Sequence, residues 1–454
     1  MPVGPADTPS AVRTGAANHG CRIGFHTFGC KLNQFETEAL ASSLRASGHV
    51  VVNAREDAEV YLMNTCTITA RADHKARALV RSLARAHPES LLVVTGCSAE
   101  LERQALGGLG PNVVVIPQSR KAVLLDLPRV LAAEQGAAGR ARVLERGARA
   151  AASDPFALKT EEQSFRTRPA LKIQDGCNGR CAYCRVPLAR GEAVSLAPDE
   201  VVRRAVDLET RGNREVILTG VNLSAYGSGG VGLARLLSLL LEAAPRIRFR
   251  MSSIEPEALT EEMAAVLSHP RICPHFHLSL QSGADSVLLR MGRRYRSDTT
   301  RRAVTLLRSL REDPFLAADV IVGFPGETAG EYAATLDLVG ELNFAAVHVF
   351  PFSPRPGTSA AGMRPVVPER VRSERAAEMA LLAAGRSASY ARGWIGREIE
   401  VLFERTGRWG TRSLSDNYLR IDVEGTPDGT QALGRLGRAI MTAAGRGRFV
   451  AFCP

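Results

Sequence analysis

The sequence predicts an α/β protein of three parts: an N-terminal parallel α/β domain, a central incomplete (βα)6 barrel and a C-terminal small β-barrel. Apolar strand runs alternate with helical spacing in residues 21–133 and again in residues 165–390, which is typical of parallel sheets. Residues 134–164 are rich in Ala, Gly, Arg and Glu and are predicted to be a linker. Residues 391–454 contain only short strands interrupted by Gly, Asn and Asp, which predicts an all-β unit.

The N-terminal part contains four strand patterns with helical spacing at 35–46, 76–86 and 100–106. The four runs are CRIGFHTFGC, VYLMNTC, SLLVVTGC and NVVVIPQ. Ligands of parallel sheets gather beyond the carboxyl ends of the strands, and Cys30, Cys66 and Cys97 stand at three of these ends. One cysteine there is usually a small core residue, but three on successive strands predict a metal site.

The central part contains six strand patterns separated by helical spacing. Six βα units predict an incomplete barrel with its site at the carboxyl ends of the strands. A closed eight-unit barrel is the alternative, for which the chain is too short. The six runs are ALKIQ, EVILTG, RFRMSSI, HFHLSLQ, AADVIVG and AAVHVFPF.

The first of these strands leads into KIQDGCNGRCAYCRVPLARG, which carries Cys177, Cys181 and Cys184 in a C-x3-C-x2-C pattern. Three thiolates in one tight loop can hold three irons of a 4Fe–4S cluster and leave the fourth iron open. An open iron can bind the amino and carboxylate groups of S-adenosylmethionine, so this cofactor is predicted too. Structural zinc is the alternative, but it usually requires a second cysteine pair, and none follows.

Charge and composition indicate an anionic partner and a reducing compartment. The 454 residues carry a net charge of +11, which is weak evidence for nucleic acid. No apolar run reaches the roughly 20 residues of a membrane span, and the first 20 residues are predicted to be a disordered lead-in, not a secretory signal. We therefore expect a cytoplasmic protein without membrane association, whose nine cysteines favour metal binding or catalysis over disulfides. Three of them are interpreted as packing residues: Cys21, Cys273 and Cys453.

Other candidate residues are less specific, and no side chain is assigned as a catalytic acid or base. Three glycines at or near strand ends are predicted to allow close approach of a cofactor, with turn formation as the alternative: Gly220, Gly323 and Gly326. Arg190 could face a carboxylate or phosphate, or form a surface ion pair. Glu255 could contact substrate or begin a helix. His275 and His277 are interpreted as hydrogen-bonded polar side chains.

The C-terminal part contains the strand patterns GREIEVLFE, NYLRIDVE and GRFVAF. Its size is similar to that of oligonucleotide-binding barrels, although a small β-barrel implies no activity by itself. Four of its side chains are predicted to contact RNA through stacking or phosphates, with a solvated surface as the alternative: Arg412, Asn417, Tyr418 and Arg420.

Ordered motifs along nearly the whole chain resemble those of the radical-SAM methylthiotransferases. They are HTFGCKLNQFETE, NTCTITARADHKAR, VVTGCSAE, the C-x3-C-x2-C loop, LQSGADSVLLRMGRRY, DVIVGFPGET and FPFSPRPGT. The resemblance implies that the central part is a radical-SAM core and that the C-terminal barrel is a TRAM-like RNA-binding domain. The chain departs from the pattern at positions such as Gly179, Arg180 and Leu188, none of which is a cysteine.

The resemblance also implies two 4Fe–4S clusters, because the family binds a second one, implicated in sulfur delivery, through the cysteines that correspond to Cys30, Cys66 and Cys97. It implies S-adenosylmethionine as radical source and methyl donor. The partners it implies are tRNA and an electron donor of the flavodoxin or ferredoxin type.

Within the family, GCKLNQFET and RMSSIEP resemble the branch that modifies threonylcarbamoyladenosine in tRNA. This implies transfer of a methylthio group to C2 of N6-threonylcarbamoyladenosine next to the anticodon. The alternatives are the branches that act on isopentenyladenosine in tRNA and on an aspartate of a ribosomal protein. A non-catalytic RNA-binding iron–sulfur protein is a further alternative, against which the six cysteines argue.

Overall fold

A computed structural model of the chain describes residues 20–150, 154–159, 167–407, 410–425, 432–445 and 448–452. Residues 1–19 of the predicted lead-in, and Cys453, lie outside these ranges. The predicted architecture is confirmed: an N-terminal parallel sheet, a central barrel of βα units and a C-terminal β-barrel. None of the described helices combines the length and apolar character needed to cross a bilayer.

The N-terminal part is a five-stranded parallel sheet. Its strands are β1 (Arg22–Thr27), β2 (Val50–Asn53), β3 (Val60–Thr65), β4 (Leu91–Gly96) and β5 (Val113–Val115), in the order β2-β1-β3-β4-β5. Its helices are α1 (Lys31–Ala46), α2 (Ala70–Ala86), α3 (Cys97–Leu101), α4 (Arg103–Gly107), α5 (Leu127–Ala133) and α6 (Gly136–Ala150).

The helices cover both faces of this sheet, because alternate residues of a strand face opposite sides. Leu62 and Val93 pack with α1, α5 and α6, whereas Met63 and Val94 pack with α2.

Two features of this part differ from the sequence patterns. Strand β2 lies at the edge of the sheet and is exposed or half-buried along its length, so it lacks the buried run that marks β3 and β4. The segment predicted to be a linker contains α6, whose Leu144 and Ala148 are buried in the core of the sheet. Its many small residues leave few large apolar side chains to mark the helical period.

The central part has six long parallel strands: β6 (Ala170–Lys172), β9 (Glu215–Thr219), β12 (Arg248–Met251), β13 (His275–Gln281), β14 (Phe315–Val322) and β15 (Ala346–Pro351). Short strands lie between them: β7 (Gln174–Asp175), β8 (Val194–Ser195), β10 (Gly227–Ser228) and β11 (Val231–Gly232). The helices are α7 (Val186–Arg190), α8 (Pro198–Thr210), α9 (Leu233–Ala243), α10 (Glu261–Leu267), α11 (Asp285–Arg290), α12 (Ser297–Leu310), α13 (Ala329–Glu341) and α14 (Glu369–Arg392). Two isolated parallel bridges, Phe249–Ile272 and Ile254–Leu278, connect the β12 region to the β13 region. The six strands therefore follow one another around the barrel in chain order.

The barrel is open between its first and last strands. Within the described residues, neither β6 nor β15 pairs with a further strand on its outer side. Helix α1 of the N-terminal part lies beside β6, where Glu36 and Lys172 form an ion pair of 3.1 Å. The N-terminal sheet therefore borders the open side of the barrel.

The C-terminal part is a closed barrel of β16 (Glu398–Gly407), β17 (Gly410–Ser415), β18 (Arg420–Glu424), β19 (Leu436–Gly445) and β20 (Arg448–Phe452). It packs against the amino-terminal ends of the central strands. The ring of Tyr418 stacks on His275, the first residue of β13, with ring centroids 4.0 Å apart. Arg250 on β12 donates a hydrogen bond of 3.1 Å to the carbonyl oxygen of Ser415.

Candidate active site

The C-x3-C-x2-C loop follows β6 and β7, and backbone amides of the loop point at its sulfurs. The amide of Gly179 donates to Sγ of Cys177 at 3.2 Å, and the amide of Val186 donates to Sγ of Cys184 at 3.4 Å. Burial raises the pKa of the Cys177 thiol and raises that of Cys184 to about 12. These thiols are neutral at pH 7 without a metal, and metal coordination stabilises the thiolate. The loop therefore fits a cluster of iron ions.

Arg293 supplies a donor to the third sulfur. Its Nη1 lies 3.2 Å from Sγ of Cys181, and its Nη2 lies 2.8 Å from Oε1 of Glu255. Hydrogen bonds to cluster sulfurs set the reduction potential of iron–sulfur centres. Arg293 therefore connects the loop electrostatically to a carboxylate on the neighbouring strand connection.

Cys30, Cys66 and Cys97 lie at the carboxyl ends of β1, β3 and β4, which are neighbours in the sheet. Burial and, to a smaller extent, the nearby thiols of Cys30 and Cys97 raise the pKa of Cys66 to about 12. At Gly29, where φ is +95°, a Cβ atom would overlap the side chain of Cys66. Glycine at this position thus lets the Cys66 side chain pack directly against the backbone that precedes Cys30. This group of thiols also fits a metal cluster.

The C-x3-C-x2-C loop and the segment that follows Cys66 border one cavity of about 350 Å³. The cysteines of the C-x3-C-x2-C loop line it directly, and the N-terminal part contributes residues 67–69, which directly follow Cys66. Glu255 and Asp319 present carboxylates to it. Ile68 and Phe350 also line it and remain 49% and 37% exposed, so its rim is apolar.

A buried arginine joins the two cysteine loops. Nη1 of Arg185 donates to Oγ1 of Thr67 at 3.0 Å and to Oε1 of Glu102 at 3.1 Å. Arg355, which follows β15, donates to the same threonine hydroxyl at 3.1 Å and pairs with Asp73 on α2. Two guanidinium groups from the central part therefore hold the segment after Cys66.

A second buried ionic cluster joins α1 to the barrel. Glu36 pairs with Lys121 at 2.5 Å, with Lys172 at 3.1 Å and with Arg190 at 2.9 Å, and Arg190 also pairs with Asp175 at 3.1 Å. Burial alone raises the pKa of Glu36, but the three cations outweigh it and hold the pKa well below its usual range. The carboxylates that Arg190 faces thus belong to this chain.

Strands β13, β14 and β15 each direct a polar side chain to one point: His277, Asp319 and His348, with one ligand atom of each within 4.8 Å of the others. Nε2 of His277 lies 2.9 Å from Oδ1 of Asp319, and its Nδ1 lies 3.0 Å from the hydroxyl of Ser253. Burial, then the charges of His277 and Lys31, lower the pKa of His348. The lysine charge disfavours a bound cation. Of these three side chains, Asp319 lines the cavity.

The three predicted glycines do not line the cavity. Gly220 packs against the side chain of Gln174, and the following residues, 221 and 222, reach the cavity instead. The amide of Gly323 donates to Oε2 of Glu327 at 2.6 Å, and the amide of Gly326 donates to the carbonyl oxygen of Pro365 at 2.8 Å. The last two therefore serve the turn after β14.

The four residues predicted to contact RNA separate into two pairs. Arg412 and Arg420 are exposed on the C-terminal barrel, where Arg412 lies 3.7 Å from Asp422. Asn417 is fully buried, and its amide bonds with the hydroxyls of Ser415 and Tyr390. This corrects its assignment, because a buried and hydrogen-bonded amide cannot meet RNA.

Tyr418 likewise lies at an internal boundary. Its ring stacks on His275, and the guanidinium of Arg250 lies 5.2 Å from the ring centroid. Its stacking partners thus come from the central part, while the half-buried side chain stays a predicted RNA contact.

Sequence reasoning missed the residues that connect the two cysteine groups. Arg185 lies in the C-x3-C-x2-C segment and Arg293 lies in LQSGADSVLLRMGRRY, so both belong to motifs that the sequence analysis recognised. Thr67 stands next to Cys66. In the pairs Arg185–Thr67 and Arg293–Cys181, the two residues are more than a hundred positions apart along the chain. No local sequence pattern indicates such pairs.

Comparisons with known proteins show which families the N-terminal and central parts of the chain resemble. Residues 22–116 match the model of Uncharacterized protein family UPF0004, and residues 171–339 match that of the Radical SAM superfamily. The chain is 39% identical to the threonylcarbamoyladenosine tRNA methylthiotransferase MtaB of Treponema pallidum, covering 88% of this chain and 94% of that protein. It is 34% identical to the MtaB of Bacillus subtilis, covering 94% and 96%.

Two further comparisons are more distant. The tRNA-2-methylthio-N(6)-dimethylallyladenosine synthase of Cereibacter sphaeroides is 33% identical, covering 92% of this chain and 95% of that protein. Among solved structures, the radical S-adenosylmethionine methyltransferase TsrM of Kitasatospora setae superimposes with a TM-score of 0.51 at 14% identity. That match covers 75% of this chain and 77% of TsrM, and it supports the fold alone.

Proposed function

This chain belongs to the radical-SAM methylthiotransferase family that includes the MtaB enzymes, and we propose that it transfers a methylthio group to C2 of N6-threonylcarbamoyladenosine in tRNA, next to the anticodon. The observation that carries the proposal is that the cavity beside the C-x3-C-x2-C loop is also lined by residues 67–69, the segment that directly follows Cys66 of the second cysteine group. A reaction that joins radical formation to sulfur insertion needs both centres near one substrate atom.

Cys177, Cys181 and Cys184 would hold a 4Fe–4S cluster with S-adenosylmethionine beside it. When bound, these groups supply the radical that removes hydrogen from C2 and the methyl group that caps the incoming sulfur. Glu255 and Asp319 present carboxylates to the cavity, which suits the ammonium and hydroxyl groups of the cofactor. Arg293 fixes the position of Glu255 relative to the loop.

Cys30, Cys66 and Cys97 would hold a second 4Fe–4S cluster. Their placement at the ends of three neighbouring strands and the close approach of the Cys66 side chain to Gly29, next to Cys30, support this proposal. Arg185 and Arg355 hold the segment that follows Cys66 against the cavity. These contacts would keep the sulfur-bearing site at a fixed distance from the C-x3-C-x2-C loop.

The target adenosine must leave its stack to place C2 in the cavity. The exposed apolar side chains of Ile68 and Phe350 at the rim provide surfaces on which an unstacked base can lie. Arg412 and Arg420 of the C-terminal barrel are retained as RNA contacts because both are exposed cations. An electron donor of the flavodoxin or ferredoxin type would reduce the clusters.

The substrate assay incubates the enzyme anaerobically with tRNA bearing either threonylcarbamoyladenosine or isopentenyladenosine, then weighs the digested nucleosides. We expect a 2-methylthio product from the threonylcarbamoyl nucleoside. Methylthiolation of only the isopentenyl nucleoside would place the enzyme in that branch. Modification of neither, together with activity on a ribosomal protein, would contradict a tRNA substrate.

The cluster assay measures iron after anaerobic reconstitution, where we expect about eight irons, four for each cluster. Alanine at positions 177, 181 and 184 should halve the iron and stop cleavage of S-adenosylmethionine. Alanine at positions 30, 66 and 97 should also halve the iron, yet leave 5′-deoxyadenosine formation measurable and abolish sulfur insertion. Full iron retention in either triple variant would contradict the corresponding site.

A further inference from the structure

Helix α2 presents an exposed face of four cations without counter-charges, called here the basic face of α2: Arg71, Lys75, Arg81 and Arg85. Within the part of the chain that the structure describes, none of the four has an ion-pair partner. The acidic residue of this helix, Asp73, is buried and paired with Arg355, so it points away from the basic face. The outer face of α2 therefore carries uncompensated positive charge.

This lack of counter-charges distinguishes α2 from helices α8, α12 and α14. On α8, α12 and α14, exposed arginines pair with a carboxylate one turn away: Arg203–Asp207, Arg302–Asp298 and Arg370–Glu374. Such pairs cancel most of the local field. Unpaired cations on one helix face instead produce a positive potential that attracts polyanions.

The position of α2 ties this charge to the active site. Residues 67–69, which line the cavity, lead directly into the helix. The amide of Ala70 donates to the hydroxyl of Ser353 at 3.2 Å, so the first turn is held at the cavity rim. Val80 and Leu83 anchor the opposite face in the sheet. The 17 residues extend about 25 Å from the cavity.

We propose that the basic face of α2 binds the sugar-phosphate backbone of the tRNA and directs the strand to the cavity. This rests on the proposed function, because it takes tRNA as the substrate. The C-terminal barrel offers fewer contacts than the sequence predicts, since Asn417 is buried and hydrogen-bonded inside the protein. Cations on α2 would complete the interface beside the reacting base.

The test replaces three of these cations together, Arg71→Gln, Lys75→Gln and Arg81→Gln, in the reconstituted full-length enzyme. Binding of threonylcarbamoyladenosine-containing tRNA is measured by anaerobic filter binding over a range of salt. We expect the Kd to rise at least about tenfold and the slope of log K against log salt to fall by about 2–3, because each lost phosphate contact removes about 0.7–0.9. Iron content and the thermal midpoint report that the variant is folded.

The matched control removes three cations from α6: Arg142→Gln, Arg146→Gln and Arg149→Gln. These residues are exposed on the helix that packs against the opposite face of the same sheet. This variant should bind tRNA with the wild-type Kd and salt slope. If both variants weaken tRNA binding equally, the loss of net charge explains the effect and the proposal fails. An unchanged Kd for the α2 variant would also overturn the proposal. A wild-type enzyme that neither binds nor modifies this tRNA would instead overturn the proposed function.

Discussion

The guanidinium of Arg185 donates a hydrogen bond of 3.0 Å to the hydroxyl of Thr67. Arg185 directly follows Cys184, and Thr67 directly follows Cys66. This bond therefore joins the two cysteine groups across the boundary between the N-terminal sheet and the central barrel. Because both side chains are buried, the separation of the two groups depends on a desolvated polar contact.

Arg185→Gln should uncouple sulfur insertion from radical formation. Loss of the bonds to Thr67 and Glu102 lets the two loops shift, and a displacement near 1 Å can cost about a hundredfold in rate. We expect methylthiolated product per 5′-deoxyadenosine to fall by about tenfold or more. Arg180→Gln, an exposed position in the same loop, is the control. An unchanged product ratio in the Arg185 variant would contradict the coupling role.

Gly29→Ala should remove one cluster and spare the other. The new Cβ would overlap the Cys66 side chain, and φ of +95° strains any other residue there. Reconstituted iron should fall from about eight to about four per chain, with cleavage of S-adenosylmethionine retained. Gly48→Ala is the control, since Gly48 has φ of +84° but open space around it. If Gly48→Ala loses the same iron, backbone strain and not the overlap is responsible.

Arg293→Gln should make the potential of the C-x3-C-x2-C cluster more negative. Reduction adds negative charge to the cluster, and the guanidinium at 3.2 Å from the Cys181 sulfur stabilises that charge. Loss of one charge-assisted hydrogen bond predicts a shift of roughly 60–120 mV. An anaerobic redox titration followed by electron paramagnetic resonance measures it. Arg294→Gln, an exposed neighbour, should leave the potential unchanged, and a positive shift in the Arg293 variant would refute the argument.

Glu215 should stabilise the fold above its ordinary pKa and lose that contribution in acid. Burial alone raises the pKa of its carboxyl, but Arg250 and Arg248, each with a nitrogen 2.7 Å away, outweigh burial and hold the pKa at about 2. The pKa in the folded protein is therefore below the unfolded value of about 4.3. The resulting contribution to the free energy of unfolding is complete above about pH 4.3 and declines as the pH falls towards 2. The whole contribution is about 3 kcal/mol.

Glu215→Gln should therefore lower the midpoint of thermal unfolding at neutral pH and flatten its decline below about pH 4.3. The control is Glu200→Gln. The hydrogen bond from Arg203 lowers the pKa of Glu200 to about 2 as well, but this pair is at the surface, where ion pairs contribute about 0–1 kcal/mol. Equal losses in the two variants would show that burial adds nothing to the Glu215 cluster.

Asn417→Ala should weaken the C-terminal barrel. Removing its amide leaves the hydroxyls of Ser415 and Tyr390 without this partner, which costs about 1–3 kcal/mol for buried groups. The thermal midpoint should fall, whereas Arg420→Gln at an exposed position should leave the midpoint unchanged and weaken tRNA binding. A stable Asn417 variant with reduced tRNA affinity would restore the RNA-contact assignment.

The sequence alone determined the architecture and the positions of the cysteines along it. Apolar runs of period two and helical spacing are local properties, so they predicted the strands that precede Cys30, Cys66 and Cys97. The rule that parallel strands direct ligands to their carboxyl ends placed these residues at one edge. Local patterns failed at β2, whose half-exposed edge carries no buried run, and at α6, whose small residues conceal its period.

Tertiary structure alone decided which side chains meet. Arg185 and Thr67, Arg293 and Cys181 are each separated by more than a hundred residues. Asn417 belongs to a polar turn in sequence but faces inward because closure of the barrel places its amide against Tyr390. Hydrophobic periodicity records which face of an element is buried, and it carries no information about the partner on the other element. That choice is made by packing and by the need of buried polar groups for hydrogen bonds.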